Sequence, residues 1–336
     1  MVKSINMEHC SEDLRRKAVD LSQEKILISN FHGTEQESDL TEPANCNGYG
    51  RIRHFKLFTS EGWPQNPLPI EPAYKALGLP VTPMIRTQLF QIAICNWRCW
   101  YCFVPDDLRS AAPNHSRWFS AFELINLYLQ EPNHPRVIVL SGGQPDLVPE
   151  WIPWMMSALR LRGLEHKTYL WSDDNLSTDF FWRFLNNNQL GTIQSFRNYG
   201  KVGCFKGFDQ ESFSFNTTAD PSLFYKQFEL MKRFVNFGID IYAYVTLTTP
   251  SADSIEQKVR IFVDKLQEID VNFPLRTIPL EIKVFTPIQS RIKFANKIAL
   301  ENQQIAVRVW QDELRNRYSK IELTKPITEV LFQKKN

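Results

Sequence analysis

The sequence predicts an α/β protein in which helices cover a parallel sheet. From residue 88 onward, short apolar and β-branched runs alternate with longer amphipathic stretches, which is the pattern of repeated β/α units. Gly163 and Gly238 stand where helices should end, because glycine readily takes the left-handed conformation past a last helical turn. The alternation fits six β/α units, either as a partial barrel or as a doubly wound sheet. Both arrangements place a ligand site at the carboxyl ends of the strands.

The boundaries of the elements follow from these runs and from capping residues. Helix starts are indicated by Ser116, Ser177, Asp220 and Ser251. The predicted strands are 88–94, 136–140, 167–171, 201–206, 239–247 and 280–285. The predicted helices are 116–130, 150–162, 177–188, 221–237, 252–268 and 296–318.

The chain is divided into three parts by composition. Residues 1–87 form an N-terminal extension or cap, with a surface helix near 11–24 and a proline-rich segment that precludes a long helix. Residues 88–290 carry the β/α units. Residues 291–336 form a C-terminal helix and tail.

Composition excludes several classes of protein. With 336 residues and a formal net charge of +2, the chain lacks the strong basic excess of a dedicated nucleic-acid binder. No run of eighteen apolar residues is present, and the charged start of the chain lacks the apolar core of a signal peptide. We therefore expect a cytoplasmic protein that has no membrane span and no dedicated nucleic-acid-binding surface.

Three of the six cysteines, Cys95, Cys99 and Cys102, fall within eight positions directly after an apolar run. Three thiolates on one short loop can hold an iron–sulfur cubane and leave one iron open to another ligand, since four thiolates are normally needed. A structural zinc site would need a fourth ligand, usually from a second pair of Cys or His. Chance clustering of buried thiols is the remaining alternative.

A second motif follows a predicted strand and reads Ser141-Gly142-Gly143-Gln144-Pro145. Two glycines at the end of a strand allow the backbone to come close to a ligand. The alternative is an ordinary turn that ends the strand.

Together the two motifs resemble the signature of the radical S-adenosylmethionine superfamily. The resemblance implies a partial (β/α)6 barrel, a [4Fe–4S] cluster on Cys95, Cys99 and Cys102, and S-adenosylmethionine chelated by the fourth iron. It also implies that the glycine loop, with Pro145, contacts the methionyl group, although Gln144 stands where the family usually has Glu. A flavodoxin or ferredoxin would supply the electron.

The same resemblance assigns cofactor contacts to Tyr101, Ser172 and Asp173. Tyr101 precedes the third cysteine, where the family presents a backbone to the adenine. Ser172 and Asp173 follow the third predicted strand, where they are expected to hydrogen-bond the cofactor. The alternative for this pair is turn and helix-capping chemistry.

In the fourth predicted strand, alternation directs Cys204 and Lys206 to one face. If that face is the barrel interior, a thiol and an ammonium group point to the active site. Activating enzymes of glycyl-radical proteins carry an Asp-x-Lys pair here, so this chain is similar at Lys206 but has Cys204 in place of Asp. The alternatives are a lysine that reaches solvent at the rim and a cysteine that only packs.

The expected function is therefore that of an oxidoreductase that cleaves S-adenosylmethionine and abstracts hydrogen from a protein or peptide substrate. Two alternatives stay open. The same chemistry could act on a small molecule, a nucleotide or RNA, or the chain could be a non-catalytic iron–sulfur or zinc module.

Overall fold

The computed structural model describes residues 7–333. Residues 1–6 and 334–336 lie outside the described residues. The expectation that the chain begins without a signal peptide falls partly on residues 1–6. The strands are β1 Val19–Asp20, β2 Lys25–Ser29, β3 Gly50–Lys56, β4 Met84–Gln91, β5 Ser116–Ser120, β6 Val137–Ser141, β7 Tyr169–Asp174, β8 Tyr199–Phe205, β9 Ile241–Thr246 and β10 Thr277–Leu280. The α-helices are α1 Met7–Ala18, α2 Ile70–Leu77, α3 Ala121–Gln130, α4 Trp151–Leu161, α5 Phe180–Phe184, α6 Asn187–Ser195, α7 Gln210–Thr217, α8 Leu223–Phe237, α9 Ile255–Ile269, α10 Thr286–Gln289, α11 Phe294–Arg317 and α12 Lys320–Leu323.

A curled seven-stranded sheet in the order β10-β9-β8-β7-β6-β4-β3 forms the centre of the fold. Six of its strands are parallel, and only β3 runs antiparallel, against β4. The predicted partial barrel of six parallel strands is thereby confirmed, although its last strand, β10, ends at Leu280, where the strand predicted for 280–285 was expected to begin. The three-stranded sheet β1-β2-β5 lies beside it.

The N-terminal extension contributes more regular structure than the sequence indicated. It supplies β3, an edge strand of the main sheet, and the short helix α2. Leu68, Ile70 and Ala73 of this region pack with Trp171 and Tyr242 from the inner face of the sheet. The extension therefore fills part of the barrel interior.

Two observed helical regions differ from the predicted ones, the first in its starting residue and the second in being divided into two helices. The helix expected from Ser116 begins at Ala121, because residues 116–120 pair with β2 as strand β5. Ser120 caps the helix instead, in a reciprocal capping box with Glu123. The helix predicted for 177–188 is divided into α5 and α6, since Asn186 starts a second capping box.

The inner and outer faces of the sheet differ in what covers them. The outer face packs on helices such as α4, α8 and α9 in the larger apolar core. The inner face carries a smaller core that includes Val139, Trp171, Val202 and Tyr244. Within residues 7–333, no helix combines the length and apolar character required to cross a bilayer.

Candidate active site

The cysteine loop, residues 95–102, follows β4 and rests on the end of α7. The backbone N–H of Arg98 donates to the carbonyl of Thr217 at 3.2 Å, and the N–H of Trp100 donates to that of Asn216 at 3.2 Å. The N–H of Cys95 donates to the carbonyl of Arg109 at 3.0 Å. Backbone bonds at several points along the loop hold its shape without using the thiols.

Asn216 connects this loop to two strand ends. Its fully buried amide donates to the carbonyls of Lys206 at 2.8 Å and Thr248 at 3.1 Å. Its oxygen accepts from the indole N–H of Trp100 at 3.0 Å. The sequence analysis did not single out Asn216, because an Asn late in a helix has no local pattern that reveals distant partners.

The three thiols lie in a buried, cationic setting. Cys95 and Cys99 are each 8% exposed, and Cys102 is half-buried. Burial raises the pKa of the Cys99 thiol to about 12, with Lys206 opposing this rise and the other two thiols adding to it. Burial also raises the pKa of Cys95, and Cys102 adds to it.

The donor set fits an iron–sulfur cubane in its chemistry. Within the described residues, no three side chains of His, Cys, Asp or Glu are grouped as ligands of one metal ion. A cubane does not need such a point of convergence, because each thiolate binds a different iron. The burial of the thiols opposes their deprotonation. Binding to a metal nevertheless releases the thiol protons, because the thiolate is the form that coordinates.

Three arginines surround the loop, and the sequence analysis did not predict them. Arg98 donates to the carbonyl of Cys95 at 2.6 Å, and the buried Arg109 donates to the carbonyl of Trp97 at 3.1 Å. Arg291 donates to the carbonyl of Cys102. Burial alone would lower the pKa of Arg109, but the neighbouring Cys102 and Cys95 thiols raise it. These cations would stabilise the negative charge of thiolates.

The Gly142–Gly143 turn packs directly on the segment before the cysteine loop. Gly143 has φ +103°, and a Cβ there would meet the carbonyl oxygens of Ile92 and Ile94. The N–H of Gln144 donates to the same Ile94 carbonyl at 2.8 Å. The prediction attributed the glycines to the approach of a ligand, whereas in the structure the close neighbour of Gly143 is protein backbone.

Gln144 and Pro145 lead away from the inner face. Gln144 is 1% exposed, and its amide donates to Asp174 at 2.7 Å while its oxygen accepts from the N–H of Asn175 at 2.9 Å. Pro145 is buried and begins a single 3₁₀ turn. Both polar groups of Gln144 are used within the protein, where they tie the end of β6 to the end of β7.

Ser172 and Asp173 project to opposite faces of β7. The fully buried hydroxyl of Ser172 pairs with that of Tyr199 at 2.8 Å, on the helix-covered side. Asp173 points inward, where it accepts hydrogen bonds from Ser141 and, at 3.0 Å, from the indole of Trp171. The structure therefore brings Asp173, and not Ser172, to the interior.

Cys204 and Lys206 share the inner face, as alternation predicted. Cys204 belongs to the inner-face core. Burial would lower the pKa of Lys206, but the thiols of Cys204, Cys99 and Cys95 and the phenol of Tyr101 together raise it. The ammonium group therefore lies beside the cysteine loop. The hydroxyl of Tyr101 pairs with that of Thr246 on β9 at 3.1 Å.

Comparison with known proteins adds little to this description. No family model matches the chain, and no curated protein matches it. Among solved structures, Streptococcus suis SuiB bound to S-adenosylmethionine is 14% identical over 69% of this chain and 48% of its own, with a TM-score of 0.46. Histidine-tagged anSMEcpe with bound AdoMet is 16% identical over 56% and 47%, with a TM-score of 0.39. The chain spans about half the length of each. Likenesses this weak carry no argument about its chemistry.

Proposed function

We propose that this protein is a radical S-adenosylmethionine enzyme whose [4Fe–4S] cluster is held by Cys95, Cys99 and Cys102. The observation that carries the proposal is the position of the cysteine loop. It lies at the carboxyl ends of a curled parallel sheet, with the Gly142–Gly143 turn docked against its first residues. In such sheets ligands bind at this end of the strands.

When bound, such a cluster supplies one-electron cleavage of the sulfonium carbon–sulfur bond of S-adenosylmethionine, giving a 5′-deoxyadenosyl radical that takes a hydrogen atom from the substrate. The residues of this chain position the reactants and exclude water. Lys206 offers a cation at the inner face for the carboxylate of the cofactor or substrate. Trp171 and Tyr242 are fully buried in the inner-face core, which keeps water out of the part of the barrel below the strand ends.

The remaining parts of the proposal rest on the resemblance in sequence. A flavodoxin or ferredoxin supplies the electron. The likeness of the Lys206 strand to that of glycyl-radical activating enzymes favours a protein or peptide as substrate, and this stays a prediction. Cys204 lies near Lys206, where its thiol could take part in hydrogen transfer.

Iron and sulfide analysis after anaerobic reconstitution tests the proposal. We expect about four irons and about four sulfides per chain, because three clustered thiolates hold one cubane. Cys99→Ala should lose the cluster, since two thiolates do not retain it. Cys10→Ala, at a half-buried cysteine of α1, is the matched control and should keep its iron.

Reductive cleavage is the second measurement. With dithionite and S-adenosylmethionine, the reconstituted protein should form 5′-deoxyadenosine slowly even without its substrate. Full iron content in Cys99→Ala, or no 5′-deoxyadenosine from protein that carries its cluster, would contradict the proposal.

A further inference from the structure

Two arginines of the edge strand β3 project into the barrel interior. Arg51 pairs in register with Leu89, and Arg53 pairs with Thr87. Leu89 belongs to the inner-face core, and residues directly opposite each other on paired strands point to the same face. Both guanidinium groups therefore lie on the inner side of the sheet. The function derived above does not use either of them.

Arg51 is buried without a polar partner. Its side chain is 8% exposed, and its Nε is buried without a hydrogen-bond partner. Its guanidinium group lies over two aromatic rings, that of Phe103 at 5.2 Å and that of Phe31 at 6.0 Å. Arg53 is half-buried and stacks on Phe55 at 4.0 Å. Within residues 7–333, no acidic side chain forms an ion pair with either arginine.

The other deeply buried arginines of the described residues all have polar partners within the protein. Arg15 pairs with Glu150, Arg109 with Asp106 and Arg276 with Asp240. Each of the three also donates to at least one backbone carbonyl. Among the described residues Arg51 has neither kind of partner, so their contacts do not explain its burial.

The nearest carboxylate on the inner face does not neutralise this pair. Asp173 already accepts hydrogen bonds from Ser141 and Trp171. Burial and the neighbouring charge of Arg53 lower the pKa of Arg51 to about 9, and Asp173 only partly opposes this. A buried charge without a partner is costly, and an anion would remove that cost.

We propose that Arg51 and Arg53 bind an oxyanion of the substrate, either a carboxylate or a phosphate group. The guanidinium fork matches both anions with two parallel hydrogen bonds. This inference rests on the proposed function, since it takes the barrel interior to be the substrate site. Along β4 the pair runs away from the cysteine loop, since Arg51 lies opposite Leu89 near the carboxyl end of the strand and Arg53 lies two residues further back, opposite Thr87. It is thus placed for a second ligand beside the cofactor.

Thermal unfolding of the full-length, anaerobically purified protein tests the site. Inorganic phosphate and acetate are added in separate series, with potassium chloride keeping the ionic strength constant. We expect a saturable rise in midpoint temperature with at least one anion, of about 2 °C at tenfold its Kd. A response to phosphate alone identifies a phosphate-bearing substrate, and a response to acetate alone identifies a carboxylate.

Three variants separate this site from general salt effects. Arg51→Met and Arg53→Met should lose the saturable rise. Arg117→Met should keep it, because Arg117 is an exposed arginine on β5 of the separate three-stranded sheet, where it lies over the ring of Phe119 at 5.5 Å. Nonspecific stabilisation by phosphate would be common to all variants. In chloride alone, Arg51→Met should melt at or above the wild-type temperature, since it removes an unpaired buried charge.

Three outcomes would overturn the inference: no saturable response to either anion, an unchanged response in Arg51→Met, or a lower melting temperature for Arg51→Met in chloride. Iron content is measured on the same preparations. A cluster without an anion response would refute this inference and leave the proposed function standing. An anion response in protein that holds no cluster would refute the proposed function and leave the anion site standing.

Discussion

Lys201 and Lys206 lie five positions apart on opposite faces of the sheet, the first near the start of β8 and the second just past its carboxyl end, and their surroundings differ completely. Lys201 is fully buried on the helix-covered face, 2.6 Å from Asp146 and 3.9 Å from Asp174. Lys206 is half-buried on the inner face. No described acidic side chain forms an ion pair with it, and the titratable groups nearest to it are thiols and a phenol.

The comparison shows that burial alone does not identify a functional cation. The two carboxylates near Lys201 raise its pKa above the ordinary value despite the opposing effect of burial, so the charge is satisfied by the fold. The titratable groups that act on Lys206 are those of the cysteine loop and Cys204 on β8. Since its partners are the candidate site, we expect its loss to change binding and leave stability almost unchanged.

Lys201→Met should have the largest effect on stability. It removes the only described cation that pairs with the buried Asp146 and Asp174, and breaking a buried pair in this way costs about 3–5 kcal/mol. Urea unfolding measures the loss, with Lys206→Met as the control that makes the same chemical change at the other position. Equal stability of the two variants would show that the ion pairs of Lys201 do not stabilise the fold more than the surroundings of Lys206 do.

Gln144→Glu should have the next largest effect. It places a third carboxylate against Asp174, where the amide of Gln144 now donates at 2.7 Å. We expect a loss of about 2–3 kcal/mol at neutral pH. The loss should shrink in mild acid, because a protonated Glu can donate as Gln does. A loss that is independent of pH would show that the charge at this position is not its cause.

Asp146→Asn should change how stability depends on pH. Burial and the nearby Asp174 raise the pKa of Asp146 to about 8, although Lys201 opposes them. A carboxyl group with a raised pKa in the folded state stabilises the fold while protonated, and this contribution is lost as the pH rises through the interval from about 4 to about 8.

We therefore expect the wild-type free energy of unfolding to fall over this interval, and Asp146→Asn to flatten that fall. Urea midpoints at several pH values measure the difference. Asp312→Asn, at an exposed carboxylate paired with Arg315, should keep the wild-type slope. An unchanged slope in Asp146→Asn would mean that this carboxyl group does not hold the proton.

Lys206→Met should have the smallest effect on stability and a clear effect on binding. Removing the ammonium group deletes a charge-assisted hydrogen bond to a bound anion, which weakens binding of S-adenosylmethionine or substrate about ten- to a hundredfold. Equilibrium binding measures this, and an unchanged iron content separates it from damage to the cluster. Equal affinity would show that the lysine only reaches solvent.

Local patterns predicted a large part of the fold. Alternation along the strands placed Cys204 and Lys206 on one face, and the glycines at 163 and 238 take positive φ past α4 and α8 as expected. Predicted boundaries were less accurate where two alternatives compete locally. Ser116 and Ser120 can both start a helix, and pairing with β2 made residues 116–120 a strand.

The sequence by itself determined the spacing of Cys95, Cys99 and Cys102 and the order of the β/α units, because both depend on neighbours along the chain. Tertiary structure decided which buried charges have partners. Lys201 meets Asp146 across 55 positions, and the register of β3 on β4 turns Arg51 inward. Such partners are set by how the sheet curls and which strands pair, and no local pattern carries that information. Both side chains are buried, but Lys201 lies beside two acidic groups, whereas Arg51 has no anionic partner within residues 7–333.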